Sequence, residues 1–150
     1  MNHTYQKNKI LCVLQVRGGS KGVPKKNIRK VNGKPLMTWT IESAKKSGVF
    51  DSIWVSSDSD EILEVGRQEE VNTIKRPEEL SGDEVLSVDS LHWAVNEIEG
   101  LYGIEYDYVV ELPVVCPLRN EDHIREAVNK LITHMKEEKC DITDNFFLSN

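Results

Sequence analysis

Ile10-Leu-Cys-Val-Leu-Gln-Val16 runs straight into Arg17-Gly-Gly-Ser-Lys-Gly-Val-Pro-Lys-Lys-Asn27, and this junction decides the fold. The first part is a short, nearly unbroken apolar run, the signature of a strand covered on both faces. The second part is a loop dense in Gly and Lys that continues to about Asn32. Gly18, Gly19 and Gly22 allow backbone amides to approach an anion closely. Arg17, Lys21, Lys25 and Lys26 concentrate positive charge within ten positions. The surrounding chain is acidic, with a formal net charge of -6. Such a loop suits a triphosphate, above all one whose leaving pyrophosphate gathers charge. A plain solvated connection is the alternative reading. The loop has neither GxxxxGK[ST] nor GxGxxG, which argues against a Walker P-loop and a dinucleotide site.

Outward from this junction, strands alternate with helices. Pro35 opens a helix that runs to about Ser47 and stops at Gly48, with Leu36, Trp39, Ile41 and Ala44 as its inner face. Ser52–Ser57 reads as a strand, and Ser59 caps a helix that turns Ile62, Leu63 and Val65 inward. Val71–Ile74 reads as a weaker strand, followed by a turn-rich connection to Gly82. From Asp83 to about Glu99, Val85, Leu86, Val88, Leu91, Ala94, Val95 and Ile98 recur at helical spacing. Tyr106–Leu112 is a further strand, Pro113–Arg119 a loop, and Asn120 caps a helix to about Glu138. This alternation predicts one α/β domain over residues 1–150, a three-layer α/β/α sandwich with a mainly parallel sheet. Ligands of such sheets lie beyond the carboxyl ends of the strands, where the Arg17 and Pro113 loops both emerge.

Composition narrows the function. At 150 residues, with 39% hydrophobic and 29% charged residues, the chain is an ordinary globular domain able to bury a core. The acidic balance disfavours sequence-independent nucleic-acid binding. Cys12, Cys116 and Cys140 form no CxxC pair and are odd in number, which points to a reducing cytoplasm rather than a disulfide or zinc framework. No apolar run approaches the ~20 residues of a membrane span, and Met1–Lys9 has no signal-peptide core. His3, His92, His123 and His134 show no paired ligand spacing, and Glu64–Glu70 reads as a solvated helix face.

Five segments together resemble the acylneuraminate cytidylyltransferases. They are the Val16–Asn27 loop, Gly33-Lys-Pro-Leu36, Val55-Ser-Ser-Asp58, Lys75-Arg-Pro-Glu-Glu-Leu80 with Asp83, and Pro117-Leu-Arg119. The resemblance spans about Ile10 to Ile132 and implies a Rossmann-like nucleotidyltransferase fold. It implies that the anomeric hydroxyl of a 2-keto-3-deoxy sugar acid attacks the α-phosphate of CTP, with Mg²⁺ assistance, giving a CMP-sugar and pyrophosphate. Arg17 and Lys21 would then stabilise charge near the α-phosphate. Gly18, Gly19, Ser20 and Lys26 would cradle phosphates, Asn27 would contact nucleotide or shape the loop, and Arg76 and Ser87 would lie near ribose or base. Each of the last two has an ordinary alternative, Arg76 as a surface ion-pair partner and Ser87 as an exposed helix residue. Asp58 reads first as a helix cap and second as a ligand residue, and Asp83 has the same ambiguity.

Two departures shape the expectation. Sialic acid enzymes of this family commonly carry Leu-Gln-Pro-Thr-Ser-Pro-Leu-Arg where this chain has Leu112-Pro-Val-Val-Cys-Pro-Leu-Arg119. Pro113 and Val115 replace polar positions, so either the sugar differs or the loop is not a usual sugar site. The family's later strands, its dimerisation segment and its metal-binding carboxylates are expected beyond about Cys140, and Asp141 and Asp144 do not match them. The expectation is thus a domain lacking the family's C-terminal part, with its metal ligands unidentified and a homodimer implied only by the family. Two alternatives stand beside the enzyme: a non-catalytic nucleotide-binding or interaction protein derived from it, and a nucleotidyltransferase for another base or sugar phosphate.

Overall fold

The structure, a computed structural model, describes residues 9–18, 29–82, 85–114, 120–138 and 146–147. Strand β1 is Ile10–Gln15. A small hairpin follows, β2 at Lys30–Val31 and β3 at Lys34–Pro35. Then come α1 (Leu36–Ser47), β4 (Ser52–Ser57), α2 (Asp60–Gln68), β5 (Asn72–Lys75), a 3-10 turn at Glu78–Leu80, α3 (Ser87–Tyr102), β6 (Tyr108–Glu111), α4 (Glu121–Glu138) and β7 (Phe146–Phe147). The main sheet has the order β5-β4-β1-β6-β7, and every neighbouring pair in it is parallel. The chain steps outward from β1 to β4 and β5, then crosses to the other side of β1 to lay down β6. The reversal opens between β1 and β6, whose registers join Val13 to Glu111.

Alternation along β1 separates the two layers of helix. Ile10, Cys12, Leu14 and Val16 face a core shared with Met37, Ile41 and Ala44 of α1, Ile62 and Leu63 of α2, and Ile124, Val128 and Leu131 of α4. Leu11 and Val13 face the opposite way, toward Trp54 of β4 and Leu91, Ala94 and Ile98 of α3. Both faces are covered, so the run is apolar throughout rather than alternating with polar residues. The predicted three-layer parallel architecture is the one observed.

Several local readings also hold. Gly48 ends α1 in the left-handed region at φ 70°. Ser59 Oγ accepts from Ile62 N at the start of α2, and Asn120 Oδ1 accepts from His123 N before α4. Three differ. The Arg17–Asn32 stretch read as loop contains β2, because Asn32 (φ 50°) and Gly33 (φ 85°) form a tight hairpin turn that needs two positive φ angles. Trp39 is not on the inner face of α1. Its indole N–H donates to Val31 O at 2.7 Å, Lys34 Nζ lies 4.5 Å from its ring centre, and Met37 fills the core instead. Helix α3 begins at Ser87, later than expected, since Leu86 is extended (ψ 139°) and 63% exposed while Val85 N closes a turn onto Gly82 O. It also runs on to Tyr102, stopped by Gly103 at φ 62°.

Candidate functional site

Three of the predicted site residues meet at the carboxyl edge of the sheet. Arg17 leaves the end of β1. Arg76 directly follows β5, its amide donating to Ser57 O at 2.8 Å and so extending the β4–β5 ladder. Ser87 is the first residue of α3. All three line a cavity of about 240 Å³ together with Gln15, Ser90 and Glu111. The position beyond β1 and β6 is the crevice that the strand reversal creates.

The cavity wall is a connected polar network. Arg76 Nε donates to Ser81 Oγ (3.0 Å), Arg76 Nη1 to Gln15 Oε1 (3.3 Å), and Arg17 Nη1 to Ser81 O (3.5 Å). Gln15 Nε2 donates to Glu111 Oε2 and to Ser87 O (3.0 Å), while Ser87 Oγ donates to both carboxylate oxygens of Glu111 at 3.2 and 3.3 Å. Ser90 Oγ anchors the 3-10 turn by donating to Leu80 O at 2.9 Å.

Arg76 is 3% exposed, which rules out the surface ion-pair reading. Burial pushes its pKa below the usual guanidinium value; Asp58 opposes that shift, Arg17 adds to it, and Glu111 opposes it. Its Nη2 is buried without a hydrogen-bond partner among the described residues. Glu111 is 8% exposed, and burial raises its pKa above the ordinary carboxylate range against hydrogen bonds from Gln15 and Ser87 and the charge of Arg76.

Asp58 is not the helix cap. The cap belongs to Ser59, and Asp58 Oδ1 accepts from Gly18 N at 2.9 Å. That bond docks the start of the Gly/Lys loop against the beginning of α2. A side chain at Gly18 would place its Cβ 2.6 Å from Ser59 Cβ, so only glycine fits the approach. Gly19, Ser20, Lys21, Lys26 and Asn27 lie outside the described residues, as do Asp83 and the Val115–Arg119 part of the second loop.

Gln15, Ser81 and Glu111 escaped the sequence reading. The available signal was a polar residue ending each of two apolar strands, Gln15 in ILCVLQ and Glu111 in YVVE. Among the described residues no group of three or more His, Cys, Asp or Glu is placed to hold a metal ion. The described residues therefore do not supply a metal site by themselves. A wider surface depression of about 380 Å³ lies along α4, lined by Glu126, Asn129, Lys130, Thr133 and His134, all from that one helix.

A cytidylyltransferase family profile matches residues 11–139, from β1 to just past α4. The chain belongs to the cytidylyltransferase family. Its similarity to pseudaminic acid cytidylyltransferase of Campylobacter jejuni is 37% identity over 130 residues, covering 86% of this chain and 56% of that protein. Against N-acylneuraminate cytidylyltransferase of Streptococcus agalactiae it is 36% over 128 residues, covering 84% of this chain and 30% of that protein. The chain thus spans little more than half the length of the first of these relatives and less of the second. Among solved structures, a CMP:2-keto-3-deoxy-manno-octonic acid synthetase complexed with CTP superposes with a TM-score of 0.67 at 20% identity, over 89% of this chain and 49% of that one. A cytidylyltransferase from Leptospira borgpetersenii superposes with a TM-score of 0.64 at 19% identity, over 85% of this chain and 50% of that one. At such identities these likenesses establish the nucleotidyltransferase fold.

Proposed function

We propose that this cytidylyltransferase-family chain binds CTP at the carboxyl edge of β1 and β6 and transfers CMP to an acidic 2-keto-3-deoxy sugar of the nonulosonic type, releasing pyrophosphate. The observation that carries the reading is the convergence of Arg17, Arg76 and Ser87 on one cavity beside the docked start of the Gly/Lys loop. The attacking group is the anomeric hydroxyl of the sugar, and the bond that breaks joins the α- and β-phosphates. Arg17 and Lys21 hold charge near the α-phosphate, while Gly18, Gly19, Ser20 and Lys26 cradle the phosphates. Asn27 contacts the nucleotide or shapes the loop, and Arg76 and Ser87 lie near the ribose or base. Mg²⁺ belongs to the same reading and is supported by the family resemblance; no residue is assigned to hold it. A cytoplasmic setting and a homodimer belong to the same reading, supported by cysteine usage and by the family respectively. No helix among the described residues is long and apolar enough to cross a membrane.

Thermal melts with CTP, ATP, GTP and NAD, each with Mg²⁺, test the nucleotide. A ligand at a hundredfold excess over its dissociation constant adds about 2.7 kcal/mol of stability. CTP is expected to shift the melt most, and a CTP shift no larger than that of ATP overturns the assignment. Pyrophosphate release with a panel of nonulosonic acids tests the transfer. Lys21→Ala is expected to lower kcat by roughly 100- to 1000-fold with a much smaller effect on CTP affinity, since phosphate charge grows as pyrophosphate departs. Lys25→Ala is expected to do less. Equal rates for parent and Lys21→Ala overturn the role given to the loop.

A further inference from the structure

Glu111 is a carboxylate in a place where burial works against its charge, and no role assigned so far uses it. It ends β6 beside the end of β1 and lines the same cavity as Arg17, Arg76 and Ser87. Its oxygens accept from Gln15 Nε2 and Ser87 Oγ. A carboxylate has about four acceptor sites, so these two donors leave capacity unused. Across the Gln15 amide stands the opposite feature, the buried Nη2 donor of Arg76 with no partner among the described residues. Gln15 Oε1 accepts from Arg76 Nη1 while Gln15 Nε2 donates to Glu111, so one amide holds both side chains in place. Arg76 and Glu111, joined through the Gln15 amide, therefore line one cavity with a donor group and an acceptor group.

That pairing matches a planar ring edge with an N–H donor next to acceptors. Cytosine has such an edge: its 4-amino group donates, and its ring nitrogen and 2-carbonyl accept. Uracil reverses it, placing a carbonyl oxygen where the carboxylate needs a donor. Asp and Glu are the side chains suited to the cytosine amino group. At about 240 Å³ the cavity is smaller than the roughly 300 Å³ at which pockets for drug-sized ligands begin. It suits one ring rather than a whole nucleotide.

We infer that Glu111 is the base-selecting residue of this cavity, accepting a hydrogen bond from the 4-amino group of cytosine while Arg76 donates to the ring acceptors. The inference rests on the reading of a CTP site and deepens it, naming the atom that tells CTP from UTP. A hydrogen bond to a charged group, lost or replaced by repulsion, changes affinity by about tenfold or more.

The test is a binding titration of CTP, UTP, 2′-deoxy-CTP and ATP with the parent chain, Glu111→Gln and Glu111→Asp. The parent is expected to favour CTP over UTP by about tenfold or more. Glu111→Gln, whose amide can turn either a donor or an acceptor to the base, is expected to erase most of that ratio by losing CTP and gaining UTP. Glu111→Asp, which withdraws the carboxylate by one methylene, is expected to lower the ratio less, and it serves if the Gln variant does not fold. The 2′-deoxy ligand is expected to show the same response as CTP. Equal weakening of CTP and UTP makes Glu111 a structural partner of Arg76 and overturns the inference. A response that vanishes with 2′-deoxy-CTP reassigns the carboxylate to a ribose hydroxyl and also overturns it. A parent that prefers CTP to ATP but not to UTP overturns base selection alone, whereas a parent with no preference for CTP overturns the nucleotide reading as well.

Discussion

The middle of β1 and its carboxyl end are neighbours in sequence and opposites in chemistry. From Ile10 to Leu14 every side chain is apolar and buried, packed alternately against the α1–α2–α4 layer and the α3 layer. Gln15, half-buried at the strand end, instead joins the polar network, with Arg76, Ser87 and Glu111 as its partners. Cys12 and Glu111 sharpen the contrast. Burial pushes the pKa of both upward, yet the Cys12 thiol stays neutral and inert as part of the core. The Glu111 carboxylate instead needs Gln15, Ser87 and Arg76 to offset its desolvation. Apolar burial stabilises the sheet, and polar burial at the sheet's edge costs stability and holds donors and acceptors in fixed positions.

The largest expected effect falls in the apolar middle. Leu14→Ala removes a fully buried side chain, and a loss of about 2–5 kcal/mol is expected in denaturant unfolding. CTP affinity of the fraction that remains folded should hardly change. A variant that melts like the parent but no longer binds CTP would break the division between core and edge. Gly18→Ala should reverse the pattern. Its new Cβ meets Ser59 Cβ, and an overpacked contact of this kind costs about 1–3 kcal/mol unless the backbone moves. Because Gly18 begins the loop proposed to cradle the phosphates, nucleotide affinity should fall further than stability, as calorimetric titration beside a thermal melt would reveal.

Ser59→Ala removes the cap of α2 without touching the cavity network. About 1 kcal/mol of stability should be lost, with nucleotide selectivity unchanged. The smallest effect expected is a pH dependence. The folded-state pKa of Glu111 is raised, so its contribution to stability is fully present below the usual glutamate value of about 4.3 and is lost as pH rises through the higher folded value. Glu111→Gln has no charge to desolvate. The stability of the parent relative to Glu111→Gln should therefore fall as pH rises across that window, by an amount trimmed by Gln15, Ser87 and Arg76. A difference that grows in the parent's favour with pH would mean that the partners outweigh burial.

Much of this was legible from local rules. The apolar run of β1, the Pro35–Gly48 frame of α1, and the Ser59 and Asn120 caps each depend on a few adjacent residues, and each was readable. The alternation of strand and helix then led to the parallel three-layer sandwich, and the Gly/Lys loop with its companion segments led to the family. The misreadings had local causes of another kind. Val85 and Leu86 carry the right hydrophobicity for α3 but lie in a turn before it, and Trp39 found a hydrogen-bond partner on the β2–β3 hairpin.

What tertiary structure alone decided is which distant residues share the cavity. Gln15, Arg76 and Glu111 are the last or next residues of three different strands, separated by 61 and 96 positions along the contacts that join them. No local pattern records that β6 lies beside β1 rather than beside β5; that follows from strand order, and strand order from how the two helical layers bury both faces of the sheet. The sequence by itself determined which segments become strands and helices, because those depend on periodicity, caps and backbone freedom. The fold decided that a glutamate at the end of one strand stands across a glutamine from an arginine after another, because only packing brings chain positions that far apart within hydrogen-bonding distance.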